Sequence, residues 1–285
     1  IVMYQPQINI NTGKITGAEA LVRRKNHSYG LMEPSMFLKA VEESGNIRKL
    51  DYYVYECVFK FIRSQLDKSS NIVPISLNMS RQHLDSENFI ENLSRLIQKY
   101  RIPPRLLKIE ILERACTYET AQLKKVIQQL KKIGITTAID DFGTGESSLG
   151  MLTEIPVDEI KLDRLFVNFI GSENGYEERN LEKVTKSILT LSKQLGKKTL
   201  CEGVETQKQI DFLKTVPCDT VQGFYYSKPL NEYNFIQFLQ KFNKKRSADK
   251  KITTTVLHPF FTVIARTLFY SSPFILPDFG VYLNL

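Results

Sequence analysis

Two kinds of hydrophobic pattern alternate along the chain. Short apolar runs rich in β-branched residues predict buried strands, and longer segments with apolar residues every three or four positions predict amphipathic helices. The predicted strands cover residues 1–10, 14–22, 72–79, 107–112, 135–139, 157–162, 199–201 and 220–221. The predicted helices cover residues 34–43, 47–66, 89–100, 120–133, 165–170, 181–195, 208–213 and 233–242.

The order of these elements indicates the fold class. The first two strands are joined by a tight-turn sequence, Asn11-Thr12-Gly13, and from residue 72 onward strands and helices alternate. Each strand-helix-strand unit makes its two strands parallel, because the helix returns the chain to the same end of the sheet. About seven or eight such units favour a closed α/β barrel of the TIM type over an open sheet. The patterns GxGxxG and GxxxxGK(S/T), which would indicate a nucleotide-binding open sheet, do not occur in the sequence.

Polar residues stand where most of the predicted strands end. In a TIM barrel the carboxyl ends of all strands meet on one face, so side chains far apart in the sequence would converge there. The residues at these positions are Glu19, Arg23, Asn78, Glu110, Glu113, Asp140, Asp141, Lys161, Glu202 and Gln222. One lysine among several carboxylates and carboxamides predicts a metal-dependent hydrolytic site.

The adjacent pair Asp140-Asp141 is the most informative of these positions. It follows an apolar run and precedes a glycine-rich turn, Phe142-Gly143-Thr144-Gly145. Two neighbouring carboxylates resist burial unless a positive charge lies between them, and one or two divalent cations would provide it. Oxygen ligands favour Mg2+, Mn2+ or Ca2+ over zinc. In the alternative interpretation, one aspartate caps the next helix and the other is solvated.

Other positions also have structural interpretations. Asn78 can cap a following helix, and Lys161 can form a surface ion pair with Asp163. Glu202 can flank a turn at Gly203. Taken together, the positions favour the hydrolytic site, and no Ser-His-Asp or Cys-His arrangement at the strand ends competes with it.

The residue types suit hydrolysis of a phosphodiester. Two cations a few ångströms apart would clamp the diester and lower the pKa of a water between them. Lys161 can hold that water or neutralise charge developing on the phosphoryl group, and Arg23 can grip a phosphate oxygen or stack on a base. The aspartate pair can share a second cation, and the oxygen ligands offered to the first are those of Glu19, Asn78, Glu110 and Asp140.

Composition narrows the function class. The formal net charge is +8, but residues 244–251 supply half of it, and elsewhere the two signs interleave. Binding of long nucleic acid therefore has little support, and zinc-finger, RNP and basic-zipper spacings do not occur. The cysteines have no paired or CxxC spacing, which indicates reduced thiols in the core of a cytosolic protein. The chain begins in a strand-like run with no signal peptide, and we interpret it as a fragment of a longer protein.

A series of short motifs closely resembles the successive signatures of the EAL domain family. In order they are Tyr4-Gln5-Pro6, Gly17-Ala18-Glu19-Ala20-Leu21-Val22-Arg23, Leu77-Asn78-Met79-Ser80, Glu110-Ile111-Leu112-Glu113, Asp140-Asp141-Phe142-Gly143-Thr144-Gly145, Ile160-Lys161-Leu162-Asp163, Glu202-Gly203-Val204-Glu205 and Gln222-Gly223-Phe224. The resemblance implies a bacterial α/β protein with a modified TIM-type (β/α)8 barrel whose first strand is antiparallel to the rest. It also implies hydrolysis of cyclic di-GMP to linear pGpG with Mg2+ or Mn2+, two ions per site.

The resemblance further implies a role for each matching residue. Lys161 would contact the catalytic water, and Glu202 would support the metal and water cluster. Glu113 would anchor the glycine loop and link the active site to dimerisation. Arg23 and Gln222 would bind substrate. The implied metal ligands are Glu19, Asn78, Glu110, Asp140 and Asp141, the last on the second metal.

None of these positions is replaced, but neighbouring residues depart from the family pattern. Leu112 and Arg114 stand where Thr and Ser are usual, and Glu146 stands where an aromatic residue is common. Arg24 and residues 26–28 replace the usual Trp and His-Pro near the substrate. Two other functions stay open: a non-catalytic receptor or interaction module on the same fold, and a barrel enzyme acting on another phosphodiester.

The resemblance also implies a molecular context. We expect a homodimer formed near the glycine loop, a cytoplasmic location, and an upstream GGDEF, sensory or membrane module in the full-length protein. Residues 1–243 are the predicted EAL-type phosphodiesterase domain. Residues 244–285 are predicted to form a basic linker and an apolar, aromatic extension interrupted by prolines. For this extension, membrane contact and a poorly packed tail both stay open.

Overall fold

Strands and helices alternate in the computed structural model much as the hydrophobic pattern predicts. The structure describes residues 1–26, 28, 30–118, 120–144, 150–171 and 175–242. The strands are β1 (Val2–Asn9), β2 (Ile15–Val22), β3 (Arg24–Asn26), β4 (Gly30–Met32), β5 (Ile75–Met79), β6 (Leu107–Leu112), β7 (Thr136–Phe142), β8 (Glu159–Leu162), β9 (Lys198–Cys201) and β10 (Thr220–Val221). The helices are α1 (Leu38–Glu43), α2 (Ile47–Asp67), α3 (Phe89–Tyr100), α4 (Ala115–Tyr118), α5 (Thr120–Lys132), α6 (Gly150–Glu154), α7 (Leu165–Asn168), α8 (Gly175–Gln194) and α9 (Gln207–Lys214).

The barrel closes in the order β1-β10-β9-β8-β7-β6-β5-β2. β1 is antiparallel to both of its neighbours, whereas the other neighbouring pairs of the barrel are parallel. The reversal between β1 and β2 occurs at Gly13, whose φ of +58° is readily adopted by glycine. The predicted modified TIM-type barrel, with its first strand antiparallel to the rest, is confirmed.

Alternate residues of each barrel strand lie on opposite faces. In β6, Lys108 and Glu110 lie inside the barrel, where they contact Glu159 and Lys161 of β8. The outer layer is apolar, and α2 alone buries Val54, Tyr55, Val58, Phe59, Phe61 and Ile62. The inward side chains of β6 and β8 are instead charged: Glu110 and Lys161 lie toward the carboxyl ends of these strands, and Lys108 and Glu159 lie two residues earlier.

Some boundaries differ from the sequence prediction for identifiable reasons. The predicted helix 34–43 is divided into a 3-10 helix, Pro34–Met36, and α1, because Phe37, with a φ of −142° and a buried side chain, does not continue the helix. The predicted strand 135–139 continues as β7 through Phe142, so both aspartates lie inside the strand and not after it. The predicted helix 181–195 begins earlier, at Gly175, in a polar stretch without apolar periodicity.

The small antiparallel sheet of β3 and β4 is absent from the sequence prediction. Its residues are mainly exposed, so they show no apolar alternation, and their pairing depends on backbone hydrogen bonds. Arg24 lies in β3, whereas His27, another departure from the family pattern, lies outside the described residues.

The chain divides into two units after Ile236. Residues 232–242 are helical, which agrees with the predicted helix 233–242. The predicted linker and apolar extension, residues 244–285, lie outside the described residues, so the domain boundary after residue 243 stays a prediction. Among the helices that the structure describes, none combines the length and apolarity that a membrane span requires.

Candidate active site at the carboxyl face of the barrel

Lys161 lies at the centre of the carboxyl face, and its side chain is fully buried. Its Nζ is 2.6 Å from Glu110 Oε2, 2.7 Å from Asp140 Oδ1 and 2.7 Å from Glu202 Oε1. Glu19 Oε2 completes the group at 3.5 Å. The interpretation of Lys161 as a surface residue is therefore wrong, because the lysine is the buried cation of a carboxylate cluster.

Consecutive barrel strands deliver these side chains to one point. Asn78 and Glu110 are register partners in β5 and β6, and Leu112 of β6 pairs with Asp140 of β7. The cluster consists of Glu19 on β2, Asn78 on β5, Glu110 on β6, Asp140 on β7, Lys161 on β8 and Glu202 directly after β9. The predicted convergence of residues from separate strand ends is thus observed.

A β-bulge brings both residues of the Asp140-Asp141 pair to the site. Successive residues of a regular strand point to opposite faces, so only one of the two would enter the barrel. Between Ile139 and Phe142, β7 contains one residue more than the facing segment of β8. Asp141 has a φ of +54°, a left-handed conformation that costs a non-glycine residue about 1 kcal/mol or more. As a result, carboxylate oxygens of Asp140, Asp141 and Glu202 lie within 4.8 Å of one another.

Glu19 is held in its ionised form by several donors. Burial alone would raise the pKa of this carboxyl, but the Lys161 ammonium and hydrogen bonds from Gln222 and Asn78 lower its pKa below the usual value. Gln222 Nε2 donates to Oε2 at 2.7 Å, and Asn78 Nδ2 donates to Oε1 at 3.1 Å. Tyr55 fixes the backbone of Asn78 by donating its hydroxyl to the carbonyl oxygen at 2.9 Å. Asn78 thus belongs to the site, and its interpretation as a helix cap is wrong.

The other carboxyl groups of the site have raised pKa values, because they are buried and share a single positive charge, that of Lys161. Burial raises the pKa of Glu110 to about 8. The neighbouring carboxylates raise this pKa further, whereas the Lys161 ammonium lowers it. Burial and the charge of Asp140 raise the pKa of Asp141 to about 6. Burial also raises the pKa of Asp140 and, more strongly, that of Glu202. Although burial alone would lower the pKa of Lys161, the surrounding carboxylates raise it well above the usual value.

We expect the metal-free chain to become less stable as the pH rises from about 5.5 to about 8.5. The folded pKa of Asp141, about 6, and of Glu110, about 8, exceed the unfolded values. Stability present below the unfolded pKa is therefore lost as the pH rises through the folded pKa. Glu19, with its lowered pKa, and Lys161, with its raised pKa, stay charged across this window.

Thermal melting in EDTA, followed by circular dichroism at several pH values, measures this effect. Added Mg2+ should reduce the slope, because a cation favours the ionised carboxylates. A melting temperature that rises over the same range in EDTA would contradict the electrostatics described for the site.

Two overlapping groups of carboxylates are arranged as cation sites. Glu19, Glu110 and Asp140 form the first group, and Asp140, Asp141 and Glu202 form the second. Within each group, one oxygen per residue lies within 4.8 Å of the others. Glu110 Oε1 is buried and has no hydrogen-bond partner among the described residues, so it has capacity for a further ligand. Donors that are all oxygen suit hard divalent cations, so these residues could bind metal.

Glu113 lies beside this cluster and holds the turn after β7. Its Oε2 accepts hydrogen bonds from the backbone N–H groups of Gly143 and Thr144, both at 3.0 Å. Its own N–H donates to the carbonyl of Asp140 at 3.0 Å. Gly143 has a φ of +94°, and a Cβ there would lie 2.3 Å from the ring of Phe166. Glu113 and the glycine therefore fix the backbone that carries the aspartates, whereas Gly145 and Glu146 lie outside the described residues.

Replacing Glu113 with Gln should lower the free energy of unfolding by about 1–3 kcal/mol, because two charge-assisted hydrogen bonds become neutral ones. Urea unfolding measures the change. Glu91→Gln is the matched control, since Glu91 is exposed and pairs with Arg95 on α3, where the expected cost is below about 1 kcal/mol. Equal effects of the two substitutions would show that Glu113 does not hold the turn.

The two predicted substrate-binding residues lie in different places. Gln222 is buried next to Glu19, to which it donates. Arg23 follows β2, where its Nη1 donates to the carbonyl of Val22 at 2.9 Å and its Nη2 lies 4.0 Å from Glu33. The structure therefore brings Gln222 into the carboxylate cluster, and it directs the polar contacts of Arg23 elsewhere.

A cavity of about 510 Å³ adjoins the site. It is bounded by the ends of β2 and β5, by α1 and α2, and by the segment after β6, with Leu21, Asp51, Asn78, Arg81 and Arg114 among its lining residues. Asn78 belongs to both the cavity and the cluster, so one ligand can contact both. The sequence pattern did not reveal the cavity, because its walls come from several separate segments.

Comparisons with known proteins identify a family for the chain. The EAL domain family model matches residues 1–229. The signaling protein YkoW of Bacillus subtilis is 33% identical over 239 residues, which cover 84% of this chain and 29% of YkoW. The cyclic di-GMP phosphodiesterase NbdA of Pseudomonas aeruginosa is 30% identical over 239 residues, which cover 84% of this chain and 30% of NbdA.

A solved structure is similar as well. The PaMucR phosphodiesterase, in complex with c-di-GMP, has a TM-score of 0.76 and 29% identity, covering 82% of this chain and 93% of that chain. The present chain spans less than a third of the length of YkoW and of NbdA.

Proposed function

Because the chain belongs to the EAL domain family, we propose that it hydrolyses cyclic di-GMP to linear pGpG at the carboxyl face of its barrel. The observation that carries the proposal is the buried cluster in which four carboxylates surround Lys161. The relatives support the choice of substrate, since NbdA is named a cyclic di-GMP phosphodiesterase and PaMucR was solved with c-di-GMP.

Two divalent cations, Mg2+ or Mn2+, suit the charge of the site. Five carboxylates and one lysine leave four negative charges when all are ionised, and two divalent cations would balance them. Glu19, Asn78, Glu110 and Asp140 would hold the first cation, and Asp140 would share the second with Asp141. When bound, the cations would stabilise charge on the phosphoryl oxygens and lower the pKa of a water between them.

The side chains of the chain would orient the reactants. Lys161, kept protonated by its raised pKa, can hold the attacking water and offset charge on the phosphoryl group. Glu202 Oε1 lies 2.7 Å from Lys161 Nζ, and Glu202 would support the water and the second cation. Arg23 can bind a phosphate oxygen or stack on a guanine. Gln222 would keep Glu19 aligned, and Glu113 would position the turn without contacting substrate.

A comparison of substrates tests the proposal. Cyclic di-GMP and a generic diester, bis(p-nitrophenyl) phosphate, are supplied to the full chain under the same metal conditions, and kcat/KM is measured for each. The proposal expects the higher value for cyclic di-GMP, because the cavity beside Asn78 can hold part of the dinucleotide. A higher value for the generic diester would indicate a different phosphodiesterase. Tight binding of cyclic di-GMP without cleavage would indicate a receptor.

The molecular context belongs to the same proposal. The chain would act as a homodimer in the cytoplasm, where the proposed second-messenger substrate occurs. A GGDEF or sensory module would lie upstream of it; YkoW and NbdA, of which it matches 29% and 30%, are long enough to contain such a module. Sedimentation that shows only monomer in the presence of metal and cyclic di-GMP would contradict the dimer.

A further inference from the structure

Closer to the amino ends of the strands than the carboxylate cluster, the barrel contains a second polar layer that the proposed chemistry does not use. Lys108 and Glu159 each lie two residues before a member of the cluster, on the same face of β6 and β8. Lys108 Nζ is 2.6 Å from Glu159 Oε1. Gln7 of β1 lies beside this ion pair and is 1% exposed.

A chain of hydrogen bonds connects this layer to Glu19. Lys108 Nζ lies 3.5 Å from Gln7 Oε1, at the limit of hydrogen-bonding distance. Gln7 Nε2 donates to Gln222 Oε1 at 2.9 Å. Gln222 Nε2 in turn donates to Glu19 Oε2 at 2.7 Å. Since Gln7, Gln222 and Glu19 are all buried, water does not readily replace these partners.

Lys108 determines the direction of each hydrogen bond in this series. An ammonium can only donate, so Lys108 favours the orientation of Gln7 in which Oε1 faces it and Nε2 faces Gln222. Gln222 then presents its oxygen to Gln7 and its nitrogen to Glu19. If the Gln222 amide were reversed, its oxygen would face a carboxylate oxygen, and two acceptors would meet without a proton.

The neighbours of Gln7 and Gln222 fit the same arrangement. Gln222 Nε2 also donates to Gln5 Oε1 at 3.2 Å, while Gln5 Nε2 donates to the carbonyl of Ser227 at 3.2 Å. Gly17 is the register partner of Gln7, and a Cβ at Gly17 would lie 2.8 Å from Gln7 Oε1. The absence of a side chain at this position provides the space that the Gln7 amide occupies.

We propose that Gln7 is a positioning residue, which orients the Gln222 amide by donating to it and thereby aligns Glu19 as a metal ligand. The inference rests on the proposed metal site, but it assigns a role to a residue that touches neither metal nor substrate. A residue that only filled space would be replaceable by any side chain of similar volume without an effect on the metal.

Binding of Mn2+ to the full chain, followed through the electron paramagnetic resonance signal of the free ion, tests the role. Gln7→Met keeps the volume and removes the donor, whereas Gln7→Glu keeps the shape and presents an acceptor to Gln222. Gln65→Met is the matched control, since Gln65 is also buried but lies on α2 and donates to Ser64. We expect Mn2+ affinity to fall about tenfold in Gln7→Met and further in Gln7→Glu, and to change less than about twofold in the control, since loss of an outer partner costs about 10–100-fold.

The outcomes separate this inference from the proposed function. If the wild-type chain binds no Mn2+, the proposed metal site is wrong and the inference fails with it. If the wild type binds Mn2+ and folded Gln7→Met and Gln7→Glu bind it equally well, only the role of Gln7 is wrong. If Gln7→Met does not fold, Gln7→Glu decides. In the wild type, addition of Mg2+ should also shift the side-chain amide resonances of Gln7, and unchanged resonances would contradict the role.

Discussion

Replacement of Lys161 by Met is expected to destabilise the metal-free chain and to abolish turnover of cyclic di-GMP. Lys161 is fully buried and is the cation shared by four carboxylates. Its removal leaves buried charges without their partner, which costs about 3–5 kcal/mol. The loss should grow as the pH rises, because the carboxyls with raised pKa values then release their protons. Loss of a preorganised cation at the reacting phosphate should lower kcat by at least about 10²–10³-fold.

Urea unfolding in EDTA and in Mn2+ measures the structural part of this prediction. Mn2+ should restore part of the lost stability, since it supplies positive charge to the same carboxylates. Lys197→Met is the matched control: Lys197 is also buried, but its Nζ donates to the backbone carbonyls of Ile155 and Val157, at 2.9 and 3.1 Å. Lys197 directly precedes β9, whereas Glu202 of the cluster follows that strand, so this variant should keep its turnover. Equal turnover in Lys161→Met and the wild type would overturn the role assigned to Lys161.

Replacement of Asp140 by Asn is expected to weaken metal binding strongly while leaving the metal-free fold at least as stable. Asp140 is the residue common to both carboxylate groups, so its loss affects both candidate cation sites. We expect Mn2+ affinity to fall by at least about 100-fold, more than the typical cost of an outer-shell change. Burial raises the pKa of Asp140, so its charged form costs stability at neutral pH and the neutral amide removes that cost.

Asp158→Asn is the matched control for the measurements of Mn2+ affinity and of metal-free stability. Asp158 Oδ2 accepts from the backbone N–H and the hydroxyl of Thr137, at 2.8 and 3.1 Å, near the start of β7. Asp158→Asn should therefore lower stability and leave Mn2+ affinity unchanged, whereas Asp140→Asn should do the reverse. If Asp140→Asn bound Mn2+ as tightly as the wild type, the proposed sharing of Asp140 between two cations would be wrong.

The sequence was sufficient to predict the fold class and the identity of most residues in the cluster. Each barrel strand combines an apolar run with a polar residue at its carboxyl end, and the fold brings those ends together. Glu19, Asn78 and Glu110 illustrate this, since they come from three strands and still meet in one cluster. The prediction succeeds because the hydrophobic pattern of a strand, and the point where the strand ends, depend on neighbouring residues in the sequence.

Features that depend on contacts between strands could not be predicted. The bulge that turns Asp141 toward the site depends on the pairing of β7 with β8, and nothing in the local sequence marks it. Because a lysine is usually exposed, the sequence alone also allows a surface position for Lys161, which its full burial among four carboxylates excludes. For Gln7 and Lys108 the sequence predicts only that they lie on buried strands, whereas their contacts inside the barrel follow from its closure.

Incubation of the purified chain with cyclic di-GMP, with chromatographic detection of pGpG, tests the central claim most directly. The reaction is run with Mg2+ or Mn2+, with EDTA, and with the Asp140→Asn variant in metal. We predict that pGpG appears only for the wild-type chain with metal. Intact cyclic di-GMP after incubation with folded, metal-loaded wild-type chain would contradict the claim, as would equally fast cleavage in EDTA.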